Sequence, residues 1–100
     1  MTRGTTPTHI FTLPIFASNI DKLRITYSQN QDIILEKTEA DIERSGKTIR
    51  YTLTQEETLK FNAKTSVNIQ VRVLTTDNMA LASPIKKLSV SEVLNEEVLR

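Results

Sequence analysis

Val67-Asn68-Ile69-Gln70-Val71-Arg72-Val73 alternates apolar and polar residues without interruption. Successive side chains of an extended strand point to opposite faces, so Val67, Ile69, Val71 and Val73 share one side and Asn68, Gln70 and Arg72 the other. A helix would need apolar residues three and four apart, so this spacing is that of a strand with one face in a core and one in solvent.

The same period recurs on both sides of it. Thr8 to Leu13 is β-rich, with Phe11 and Leu13 directed inward, and Pro14 then removes a backbone donor, which places this strand at a sheet edge. Leu23 to Ser28 alternates, with Leu23, Ile25 and Tyr27 on one face and Arg24, Thr26 and Ser28 on the other. Gln29-Asn30-Gln31-Asp32 reads as a tight turn into a hairpin partner over Ile33 to Lys37. Asp41 to Arg44 is a short strand, Ser45-Gly46 supplies a hairpin turn, and Lys47 to Leu53 alternates with Ile49, Tyr51 and Leu53 inward. Thr54-Gln55-Glu56-Glu57 matches a capping box and predicts one helical turn, pinned to the core by Leu59 and Phe61. Thr75 to Asn78 is a further turn, and Met79 to Val90 forms one last strand or two broken near Pro84. Ser91 to Arg100 reads as a frayed helical tail with Val93, Leu94 and Val98 on one side.

About seven short strands with almost no helix predict an all-β fold, an antiparallel immunoglobulin-like β-sandwich, with a small barrel as the alternative. The helical turn ahead of Val67 is comparable to the link between strands E and F of immunoglobulin-like domains, which crosses from one sheet to the other. The antibody-type Cys, Trp, Cys framework is absent. The first and last strands are the expected edges, guarded by Pro14 and by Lys86-Lys87.

Composition narrows the function classes. The 100 residues suit one domain spanning 1–100, with 1–6 expected to be a flexible N-terminus. A chain of this length buries roughly 60 to 70% of its unfolded surface. With 38% hydrophobic and 25% charged residues, it is too apolar for a disordered chain. A formal charge of +1, with scattered Lys and Arg, gives no footprint for nucleic acid or an anionic membrane. The lack of cysteine removes disulfides, thiolate metal sites and cysteine nucleophiles. The polar opening has no apolar h-region and no run reaches a spanning length, so the expectation is a soluble protein made in the cytoplasm, compatible with incorporation into a particle.

No constellation of residues makes an active site, and neither a cofactor nor a metal is expected. Ser45-Gly46-Lys47-Thr48 contains the Gly-Lys-Thr end of a phosphate-binding loop, but Asp41 stands where its first glycine belongs and strand alternation follows where a helix should. His9 is the sole histidine, which rules out a His-pair metal site. Glu56 and Glu57 are adjacent carboxylates, better explained by capping and the helix dipole than by acid–base work with His9. Tyr27, Tyr51, Phe11 and Phe61 fall in the inward phase, which leaves few rings for a sugar-stacking platform. The polar side of the longest strand, Asn68, Gln70 and Arg72, lying beside Arg50 or Arg24 according to sheet order, is therefore the candidate docking surface for a partner.

Six stretches carry a resemblance. Arg3-Gly4-Thr5-Thr6-Pro7-Thr8, Phe11-Thr12-Leu13-Pro14, Ile25-Thr26-Tyr27-Ser28-Gln29, Leu53-Thr54-Gln55-Glu56-Glu57-Thr58, Ile69-Gln70-Val71-Arg72-Val73 and Ala80-Leu81-Ala82-Ser83 resemble small uncharacterised proteins of about this length encoded by prophages and phages of Gram-positive bacteria. Their genes tend to lie among virion structural genes, so the resemblance implies a tail, neck or baseplate role and, as partners, virion or tail proteins or further copies of the chain. The opening phrase is similar, more loosely, to the amino-terminal β-sandwich of phage upper baseplate proteins. Neither likeness brings a catalytic motif. The chain departs from the pattern at Phe16-Ala17-Ser18-Asn19 and Asp77-Asn78-Met79. A carbohydrate- or receptor-binding module is the alternative function.

Overall fold

The computed structural model describes residues 1–100. Its strands are β1 (Thr8–Thr12), β2 (Ile20–Gln29), β3 (Asp32–Thr38), β4 (Glu43–Ser45), β5 (Thr48–Thr52), β6 (Val67–Thr75), β7 (Ala80–Ala82) and β8 (Lys86–Leu88), with one α-helical turn, α1 (Gln55–Leu59), between β5 and β6. They form two antiparallel sheets. One has three strands in the order β1-β5-β4; the other has five, in the order β3-β2-β6-β7, with β8 also paired to β6.

The alternating strand lies at the centre of the larger sheet. Val67, Ile69, Val71 and Val73 are buried, and they pack in one cluster with Leu23, Ile25 and Tyr27 of β2 and with Ile49 and Tyr51 of β5 from the opposite sheet. One apolar layer therefore joins the two sheets, the reason a chain of alternating strands folds at all.

The turns follow the sequence. Asn30 and Gln31 both take positive φ between β2 and β3, and Gly46 does so between β4 and β5. Thr54 caps α1 through both bonds of the capping box: Glu57 N–H donates to Thr54 Oγ1 at 3.2 Å and Thr54 N–H donates to Glu57 Oε1 at 2.9 Å. Past Ala82 the last segment breaks into β7 and β8. Ser83 fills the gap between them, its N–H donating to the Val71 carbonyl and its Oγ accepting from the Val71 N–H.

Three elements differ from expectation. The short strand begins at Glu43, not Asp41, because the Asp41 carboxylate closes a turn by accepting from the Thr38 N–H at 2.8 Å. Residues 91–100 form no helix. Ser91 makes a parallel bridge to Thr2, the Gln55 amide pairs with the Leu99 backbone, and Arg3 pairs with Glu96, so long-range bonds hold the tail extended. Residues 1–6 take part in the same arrangement: Arg3 N–H donates to the Ser91 carbonyl and Ser91 N–H to that of Met1. No helix is long and apolar enough to cross a membrane.

Candidate functional site

The outward face of the five-stranded sheet carries the polar phases of β2 and β6 side by side. Their register sets Arg24 opposite Arg72, Thr26 opposite Gln70 and Ser28 opposite Asn68. Folding uses the other side of both strands, so this face owes nothing to the core. Gln70 is tied down, its Nε2 donating to the Ser83 carbonyl at 3.0 Å. The side-chain amide oxygen of Asn68, Oδ1, is buried and has no hydrogen-bond partner.

Arg24 and Arg72 are both exposed, and they are directly opposed like charges, an arrangement that destabilises a sheet. Arg72 makes no ion pair. Arg24 has one acid nearby, Glu39, with N···O of 3.4 Å. Glu39 is itself committed: bonds from its own backbone amide and from that of Leu23 hold its pKa below the usual carboxylate range, with Arg24 and Lys22 adding to the effect. Lys22 shares the Arg24 face and stands opposite Leu74. Lys22, Arg24, Arg72, Leu74 and Ala80 together line a shallow recess of about 310 Å³.

Four of the five candidate residues, Arg24, Asn68, Gln70 and Arg72, thus meet on one face. Arg50 does not. It lies on β5 in the opposite sheet, where it pairs with Glu43 at 2.8 Å. Alternation tells which way a side chain points but not which sheet its strand joins. Lys22, Leu74 and Ala80 also line the recess, with Leu23, Val73 and Leu81, and none of these is among the sequence candidates. The signal for Lys22 is its spacing of two from Arg24, hidden because the strand starts earlier than Leu23.

A second group of polar side chains, His9, Lys37 and Glu57, gathers near Tyr27, which is buried. His9 Nδ1 lies 2.5 Å from its hydroxyl, and the two rings stack at 5.7 Å. Burial lowers the His9 pKa, with the positive amino terminus adding to the effect. Burial likewise raises that of Tyr27, with the Glu57 carboxylate adding. One hydrogen bond joins the phenol to Nδ1, and the tautomer of the imidazole sets which of the two donates. Burial pushes the Glu57 pKa up, but hydrogen bonds from Lys37 and Thr54 outweigh it, leaving Glu57 ionised below the usual range. Lys37 and Glu57 form an ion pair. His9, Tyr27, Lys37 and Glu57 therefore satisfy one another, while Glu56 points away to Arg100. Of the aromatic rings Phe16 alone is exposed, with Lys47 above its face.

No protein-family model, no curated protein and no solved structure matches the chain.

Proposed function

We propose that the chain is a non-enzymatic assembly module of a phage or prophage particle, docking another virion protein or a further copy of itself through the outward face of β2 and β6. The observation that carries this reading is the pair Arg24 and Arg72: two exposed guanidinium groups face each other on the central strands, one with a single committed acid and the other with none. Folding gains nothing from them, whereas an anionic partner surface would be attracted by both. Four of the edge strands are less inviting to a partner strand: β4, β7 and β8 are three residues long, and β3 carries a register shift opposite Tyr27 and Ser28.

The fold reading that accompanies this is an immunoglobulin-like sandwich. The connection through α1 supports it, since it leaves β5 of one sheet and enters β6 of the other. The particle context rests on the sequence resemblance alone. The test is to delete the gene from an inducible prophage and to assay the purified chain against individual virion proteins. The reading expects defective particles and binding weakened by Arg24→Glu with Arg72→Glu. Normal particles together with no virion-protein binding and a strictly monomeric chain would sink it.

A further inference from the structure

The cationic recess has a complement on the same chain. Lys22, Arg24 and Arg72 line it, and Glu39 is the only carboxylate paired with any of them, so three cations against one anion leave a surplus of two positive charges. Its apolar lining is Leu74 and Ala80 together with Leu23, Val73 and Leu81. Such a surface suits an extended segment with carboxylates on either side of an apolar residue.

Residues 92–97, Glu-Val-Leu-Asn-Glu-Glu, are such a segment. Glu92, Glu96 and Glu97 are exposed, and Leu94, at 105% relative exposure, is the most exposed large apolar side chain of the molecule. The segment belongs to no helix or strand. One side-chain bond holds the segment itself, Arg3 to Glu96 at 2.5 Å, and the Gln55 amide holds the Leu99 backbone just beyond it at 2.9 and 3.0 Å. Glu96 is 63% exposed in its pair with the mostly buried Arg3, so a partner's arginines compete with Arg3 for it, whereas Glu97 has no ion-pair partner within the chain. The segment also lies at the wrong end to fill its own recess. It follows Val90, whose carbonyl accepts from Lys64 ahead of β6, whereas the recess sits beside Arg72 to Leu74 at the far end of that strand.

We propose that the recess binds the Leu94-Asn95-Glu96-Glu97 segment of a second copy, with Leu94 over Leu74 and Ala80 and the two carboxylates against Arg24 and Arg72. The proposal rests on the docking-face reading above and names its occupant. Donor segment and acceptor recess are different surfaces, so the contact is head-to-tail and propagates into a ring or a filament.

Sedimentation velocity on the full chain across a concentration series tests it. Association is expected at about 20 mM salt and should weaken at about 500 mM, where screening shortens to a few ångströms. Arg24→Ala with Arg72→Ala, and separately Glu96→Gln with Glu97→Gln, should each weaken association roughly tenfold or more. Leu94→Ser should do so without altering the unfolding midpoint, because that side chain touches nothing within its own chain. An equimolar mixture of the recess variant and the Glu96/Glu97 tail variant should stop at a dimer, since only one junction between them is intact.

A wild-type chain that stays monomeric, or association untouched by the tail variants, overturns the proposal. A parallel titration with an oligoglutamate peptide separates the two readings. If it binds the wild type but not the arginine variant while the chain stays monomeric, the second copy is the wrong occupant and the docking face stands. If neither self-association nor peptide binding occurs, both fall.

Discussion

The side-chain amide of Gln29 pairs with the backbone of Asn62 as a neighbouring strand would: its Nε2 donates to the Asn62 carbonyl at 2.9 Å and its Oε1 accepts from the Asn62 N–H at 2.8 Å. The same Nε2 donates to the Thr65 carbonyl at 3.1 Å. Gln29 is buried at the end of β2, so its side chain replaces a missing strand and moors the loop that leads into β6. Replacing Gln29 with Leu keeps the volume and removes all three bonds. The expected loss is about 2–3 kcal/mol, since buried groups without partners cost more than the bonds were worth. Urea unfolding should show it as a lower midpoint with unchanged slope.

The capping box predicts a graded pair of effects. Thr54→Ala removes one of its two bonds and should cost about 1 kcal/mol. Glu57→Ala removes the reciprocal bond and also strands the Lys37 ammonium, whose side chain is 17% exposed, so its cost should be the larger, about 2–3 kcal/mol. Thermal or urea unfolding of the two variants checks the order. Equal losses would mean that the Lys37 pair contributes nothing.

Stability should depend on pH in three regions. Glu57, Glu39 and Asp41 have lowered pKa values: burial of Glu57 is outweighed by bonds from Lys37 and Thr54, and backbone amide bonds hold down the other two. Their contribution is present above the unfolded carboxylate pKa of about 4 to 4.5 and is lost as pH falls through the folded values. His9, kept neutral chiefly by burial, binds its proton more readily when unfolded, so stability already declines below about pH 6.5. Tyr27, whose pKa burial raises, ionises first in the unfolded chain, so stability falls again above about pH 10. Unfolding free energy against pH should form a plateau between these limits. His9→Gln should flatten its acid shoulder while leaving the carboxylate limb in place.

Gly46 offers a test of backbone strain alone. It sits at φ +55° between β4 and β5, and an added Cβ would meet nothing within 4 Å. Gly46→Ala should therefore destabilise through the left-handed conformation only, by about 1 kcal/mol. A larger loss would point to a displaced hairpin, visible as altered exchange of the Ala17 amide, which donates to the Gly46 carbonyl.

Features set by neighbours in sequence could be read from it. The faces of β2, β5 and β6 follow from alternation, the two hairpin turns from Asn30 and Ser45-Gly46, and the capped turn from the spacing of Thr54 and Glu57. Features set by distant partners could not. Val93, Leu94 and Val98 imitate a helical face, yet bonds to Thr2, Arg3 and Gln55 hold that segment extended. The outward phase of Arg24, Arg50 and Arg72 was legible, but their division between two sheets depends on strand order, which the pattern does not encode. For the same reason Leu74 and Ala80, a turn apart in sequence, give no sign that they close a recess with Lys22.

The interrupted edge made by β7, Ser83 and β8 has a temporal consequence for β6. Between Asn68 and Thr75 that strand is covered by β2 on one side, and on the other by β8, Ser83, β7 and the Met79 carbonyl in succession. Fraying at any single neighbour thus leaves most of its amides protected from water. Val71 and Val73 should be among the last positions to take up deuterium, which makes their amides clocks for opening of the whole molecule rather than of any one part.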